Sequence, residues 1–143
     1  MSPRPESVAA ADWWAQRLSK PIQHDVGAAE SNTLANGVAA LVRRQRTQAQ
    51  IESFRQALVD GIESHVSQYE WRPTEPERGS YMRSIGVDHG PDKVLADAAE
   101  VAGFELRMLD LPMKTVMWIN PGIVSVAEGH AARRITIWKA DHR

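Results

Sequence analysis

KTVMWINPGIVSVAEGHAARRITIWK, Lys114 to Lys139, decides how this chain is read. Three runs rich in β-branched and aromatic residues, 114–119, 123–128 and 134–139, are separated by Asn120-Pro121-Gly122-Ile123 and by Glu128–Arg133. Proline presets φ at the second position of a tight turn and glycine accepts a positive φ at the third, so the first break is a hairpin turn. The spacing predicts a three-stranded antiparallel meander. Large apolar side chains occupy both alternating sets. Met117, Ile119, Ile135 and Ile137 can share one face; Val116, Trp118, Val124, Val126 and Trp138 can share the other, depending on register. Two apolar faces both need cover, from the chain's own helices, a second copy or a partner.

Upstream of the meander, Tyr81–Val87 alternates and predicts a fourth strand. Asp88-His89-Gly90 turns the chain, and Pro91 suits the first position of a helix carrying Val94, Leu95, Ala98, Val101 and Ala102 on one face. Gly103 is placed to end it in the left-handed region.

The N-terminal half reads as three helices. Ser7 is a candidate cap for residues 8–18, with Val8, Ala11, Ala15 and Leu18 on one face. Trp13 and Trp14 point about 100° apart, so the pair is not expected to enter one core together. Ser31 can cap a helix over 32–46 along Leu34, Val38, Leu41 and Val42, with Gly37 allowing another backbone to come close. Thr47 can cap the longest helix, 48–69, whose stripe is Ile51, Phe54, Leu58, Ile62, Val66 and Tyr69. Trp71–Ser80, with Pro73, Pro76 and Gly79, is a polar break. The fold expected is α+β: three N-terminal helices, then strand, helix and meander, with helices packed on a four-stranded sheet. Residues 1–7 form a flexible tail. Residues 8–143 form one domain: a helical part (8–70), an exposed linker (71–80) and a mixed sheet part (81–139).

Composition excludes more than it offers. The chain has 143 residues, 43% hydrophobic and 24% charged, with a formal charge of −1, so it can bury a core and has no global attraction to nucleic acid or anionic membrane. Cysteine is absent, which excludes disulfides, thiol nucleophiles and cysteine-bound metal and suits the cytoplasm. Neither a signal peptide nor a membrane span is visible. Five tryptophans against two tyrosines and two phenylalanines are the one aromatic excess, fitting either core filler or interface anchors.

Reaction chemistry is sparsely represented. His24, His65, His89, His130 and His142 show no metal-ligand spacing. His24-Asp25 and Asp88-His89 are explained by turn chemistry, with a loop site of Asp88, His89 and His130 as the alternative. His65 lies near the apolar stripe of its helix; a hydrogen-bonded core histidine is the simpler reading, a general base the sharper one. Lys114 is a solvated strand-end lysine or, less simply, a Schiff-base lysine. Asp92 in Gly90-Pro91-Asp92-Lys93 would repel an anion at that helix start. No cofactor or metal is expected. Arg43, Arg44 and Arg46, with Arg133 and Arg134, form basic clusters that could touch phosphates, but a solvated helix end and strand edge account for them.

The pattern Asp12-Trp13-Trp14, Lys114–Pro121 and Ile135–Trp138 resembles small proteins encoded in GC-rich actinobacteria, their phages and mobile elements. That resemblance implies no assigned activity, so no functional residue is carried over. Met113 and Glu128-Gly129-His130 depart from its pattern.

The reading is a non-catalytic interaction or accessory protein of a phage or mobile element. It binds a protein partner, or itself as a homodimer, through Trp118, Trp138 and Tyr81 on the sheet and through Trp13 and Trp14. The alternative is a small enzyme or ligand-binding protein using His65, Asp88 and His89 between helices and sheet. The third is a weak nucleic-acid binder.

Overall fold

The middle layer is a helix with two buried sides. In the computed structural model, which describes residues 2–19, 46–107 and 110–141, α1 spans Pro5–Ser19 and α2 spans Gln48–Val66. A single helical turn, α3 (Ser80–Arg83), leads into β1 (Ile85–Val87), and α4 (Lys93–Val101) follows. The meander is β2 (Thr115–Asn120), β3 (Ile123–Glu128) and β4 (Ile135–Lys139). The four strands lie in chain order, each antiparallel to its neighbour. This is the α+β architecture expected, with helices on a four-stranded antiparallel sheet. The helix expected over 32–46, including Arg43 and Arg44 but not Arg46, lies outside the described residues, as do His24 and His142.

Local sequence explains most boundaries. Thr47 caps α2 as expected: its hydroxyl accepts from the Gln50 N–H while the Gln50 side chain accepts from the Thr47 N–H. Gly122 has φ +82°, as its turn requires, and Gly103 has φ +89° just past α4. α1 starts earlier than Ser7, at Pro5, and Glu63 of α2 supplies its cap. The Glu63 carboxylate accepts from the Arg4 N–H, the Arg4 guanidinium and the Ser7 hydroxyl. At the same end, Glu6 is buried and accepts from the Gly122 N–H at 2.7 Å, pinning the β2–β3 turn to α1.

α1 packs on α2 on one side and on β2, β3 and β4 on the other. Both of its tryptophans are therefore core. Trp14 is fully buried and Trp13 nearly so, edge-to-face at 4.9 Å. The expectation that they could not share one core fails because α1 is a middle layer. α2 contributes Phe54, Leu58, Val59, Ile62 and Val66, and packs on α4 through Leu95, Ala98 and Ala99. Val101, expected on the packed face of α4, is 75% exposed.

Register sorts the sheet. Met117 faces Ile85 and Val126 across the ladder, and Ile119 faces Val124; these side chains lie on the helix-covered face and are buried. A bulge between Val124 and Ser125 sets Trp138 opposite Val124 and Thr136 opposite Ser125. Ile137 is the extra residue, and both Ile137 and Trp138 pack on the core. Trp118 lies opposite Ser125, on the other face, with Val116 and Ala127. The two indoles expected to share one face thus stand on opposite faces.

The expected strand at 81–84 is the turn α3, and the cause is Arg83. Its side chain is fully buried. Nε donates to the Ile119 carbonyl (2.8 Å); Nη1 donates to the Glu70 and Arg78 carbonyls (2.7 and 2.8 Å); Nη2 donates to the Pro76 carbonyl (3.0 Å) and Asn120 Oδ1 (2.8 Å). All five donors of the guanidinium are used. Burial lowers its affinity for the proton, and nearby Glu77 acts the other way. The linker 71–80 is mostly exposed at its side chains, yet it is fastened to the end of β2 through its backbone. The guanidiniums of Arg83 and Arg4 both approach Trp71, 5.6 and 4.9 Å from its ring centre.

Candidate protein-interaction face

The sheet face away from α1 carries Val116 and Trp118 on β2 and Ser125 and Ala127 on β3. Val116 is 38% exposed and Trp118 is half-buried. Arg134 covers part of Trp118, with its guanidinium 4.4 Å from the ring centre. Its Nη2 also donates to the Glu77 carboxylate at 3.3 Å, joining the linker to this face. α3 abuts β2 and presents Tyr81 (84% exposed) and Met82 (50%) to solvent. Large apolar side chains left this open are unusual when clustered, and clusters of them mark interaction surfaces.

The other residues singled out in the sequence divide clearly. Trp13 and Trp14 are core and unavailable to a partner, and Trp138 is half-buried on the helix side. Arg46 is shielded by its neighbours rather than solvated. It pairs with Asp110 at 2.9 Å, both side chains under 10% exposed, and stacks 4.5 Å from the Phe104 ring centre. Arg133 is exposed, whereas Arg134 is engaged by Trp118 and Glu77.

The candidate acid–base groups do not converge. His65 lines a groove of about 670 Å³ between α2 and α4, with Ser64, Gln68, Asp92 and Asp97 among its walls; Asp88 and His89 are not among them. His65 stacks edge-on to Tyr69, and its Nε2 is buried without a hydrogen-bond partner among the described residues. Asp88 instead pairs with Lys114, and His89 is 3.8 Å away from the same carboxylate and almost fully exposed. The hydrogen bond from Lys114 holds the Asp88 carboxyl below its ordinary value, with the Lys114 charge adding to it and slight burial opposing. Among the described residues no three His, Asp or Glu side chains are placed to hold a metal ion. No described helix is long and apolar enough to cross a membrane.

Sequence reasoning singles out Trp118 and Tyr81, places Val116 on the face of Trp118 without making it a candidate, and passes over Met82 and Arg83. Met82 carries no signal beyond apolarity; only the α3 turn exposes it.

The fold and this face define a class: a small α+β domain whose described helices cover one side of an antiparallel sheet and leave aromatic and aliphatic groups open on the other. The chain belongs to the BTG family, whose model, described as "BTG family", matches residues 28–138. It is 30% identical over 127 residues to a "BTG family protein" of Dictyostelium discoideum, covering 87% of this chain and 25% of that protein. It is 27% identical over 114 residues to "Protein BTG1" of Gallus gallus, covering 75% of this chain and 66% of that one. It is similar in fold to the C. elegans FOG-3 BTG/Tob domain, with a TM-score of 0.66 and 20% identity over 95% of this chain and 82% of that chain. The chain thus spans a quarter of the Dictyostelium protein and just under two thirds of the chicken one. These findings overturn the resemblance to actinobacterial phage and mobile-element proteins: the matches are to the BTG family, and they cover most of the chain.

Proposed function

We propose that this chain is a non-catalytic interaction domain that binds another protein through the outer sheet face and the adjoining α3 turn. BTG family proteins act through protein partners. The observation that carries the reading here is the set Tyr81, Met82, Val116 and Trp118, exposed or half-buried, whereas Trp13, Trp14 and Phe54 are buried among the helices and sheet. Trp and Tyr are the residues most enriched where interfaces concentrate their binding energy. Arg83 supports the surface from beneath by fixing the α3 turn against the end of β2. With no cysteine to oxidise, the chain suits a reducing, cytoplasmic setting.

Affinity capture with the whole chain from a cell that expresses a BTG family protein tests this. Wild type retains a protein partner; Trp118→Ala and Tyr81→Ser each reduce recovery at least tenfold while circular dichroism stays unchanged. Equal recovery by all three rejects the surface. Light scattering distinguishes a second copy from a different partner: a homodimer dissociated by Trp118→Ala would make the partner the chain itself.

A further inference from the structure

On the open face, Arg134 is held in position against Trp118. β-Sheet geometry sets it there: Trp118 is in the middle of β2, and Arg134 enters β4, two strands away. The guanidinium lies over the indole, 4.4 Å from the ring centre, a cation–π contact that holds the charge at this position. Arg134 retains 39% of its side-chain exposure. Its present partner is weakly placed. Glu77 is 67% exposed and touches only Nη2, at 3.3 Å. Ion pairs of that kind contribute little, so Glu77 is readily exchanged for another carboxylate. A carboxylate approaching in the guanidinium plane can take two parallel N–H groups instead of one. Beside it, Val116 and Trp118 offer apolar area two residues apart on the same strand and face. Arg133, next in the chain to Arg134, is exposed.

Resting on the interaction reading above, we propose that Arg134, stacked on Trp118, is a carboxylate receptor, and that the partner presents an Asp or Glu next to a large apolar side chain. The carboxylate displaces Glu77 from Arg134, and the apolar group covers Val116 and the exposed part of Trp118. Specificity then comes from one oriented guanidinium, and affinity from the aromatic and aliphatic area around it. Glu77 acts as an internal competitor that keeps Arg134 in place until the partner arrives.

A library of random dodecapeptides displayed on phage, selected against the immobilised whole chain, tests the proposal. Wild type is expected to enrich peptides with Asp or Glu beside Leu, Ile, Met or Phe. A synthetic peptide of that consensus should bind about tenfold more weakly to Arg134→Ala, more weakly to Arg134→Lys than to wild type, and several-fold more tightly to Glu77→Gln. Arg134→Glu should shift selection toward Lys- and Arg-bearing peptides. Unchanged thermal unfolding certifies each variant. Peptides that need Trp118 but are indifferent to Arg134→Glu would overturn this inference and leave the interaction face standing. Peptides indifferent to Trp118 and Tyr81, or no enrichment at all, would overturn both. Tight binding of a single-stranded oligonucleotide lost on Arg134→Ala, with no acidic peptide bound, would also overturn it by assigning the pair to phosphate.

Discussion

Arg83 Nη2 donates to Asn120 Oδ1 at 2.8 Å, and this contact joins the α3 turn to the last residue of β2. Asn120 opens the turn between β2 and β3, so one side chain connects linker, turn and hairpin. The other four donors of the same guanidinium end on carbonyls, and all five acceptors are neutral oxygens. Lysine has three donors and no planar fork. Arg83→Lys should therefore strand several buried carbonyls and lower stability by about 3 kcal/mol. Urea unfolding measures this; a loss below about 1 kcal/mol, the scale of one ordinary hydrogen bond, would show that the linker is not held through Arg83.

Arg46 and Asp110 form a second buried polar connection, between the entry to α2 and the segment before β2. Asp110 also accepts from the Arg107 N–H at 2.8 Å. Removing the acid leaves a shielded guanidinium without its counter-charge, a change that destabilises by about 3–5 kcal/mol in buried pairs. Asp110→Ala should lower the unfolding midpoint accordingly, and Asp110→Asn, which keeps an acceptor, should cost less. Equal and small effects would place the pair in water.

Lys114 is held at φ +57°, a conformation unfavourable for residues with a Cβ. Its ammonium pairs with Asp88, so Lys114→Gly loses the pair but relieves the backbone, whereas Lys114→Ala loses the pair and keeps the strain. Lys114→Gly should be more stable than Lys114→Ala by about 1 kcal/mol. The pH dependence follows from the lowered carboxyl of Asp88. A carboxyl that is more acidic in the folded chain than in the unfolded one stabilises at pH values above its unfolded pKa. That contribution disappears as pH falls through the lower, folded value. Wild type should exceed Asp88→Asn in stability near neutrality, and the gap should close on acidification through the carboxylate range. A gap that widened in acid would contradict the assignment.

The meander was readable because proline, glycine and alternation all act locally. The Thr47 cap was readable for the same reason: Thr47 and Gln50 are three residues apart, and each satisfies the other's backbone N–H. What was not readable depends on distant geometry. No pattern at 70–83 shows that three of its carbonyls converge on Arg83, so alternation from Tyr81 onward predicts a strand. Trp118 and Trp138 were assigned to one face because a regular ladder would place them so. The bulge beside Val124 inserts Ile137 and moves Trp138 to the helix side. Trp13 and Trp14 were separated on the assumption that a helix buries one side, but α1 lies between α2 and the sheet. The candidate face is therefore partly legible: residue type singles out Tyr81 and Trp118, but it equally singles out Trp13 and Trp14, which are buried, and Trp138, which is half-buried on the helix side.

The central claim is that the open sheet face, not the groove between α2 and α4, receives the partner. Two exposed valines report on the two surfaces, Val116 beside Trp118 and Val101 at the rim of the groove. A photo-crosslinking amino acid placed at position 116 or at position 101 of the whole chain, irradiated in cells, measures the choice directly. The account predicts a discrete protein adduct from position 116 that Trp118→Ala abolishes, and no comparable adduct from position 101. An adduct from position 101 alone, unaffected by Trp118→Ala, would contradict it.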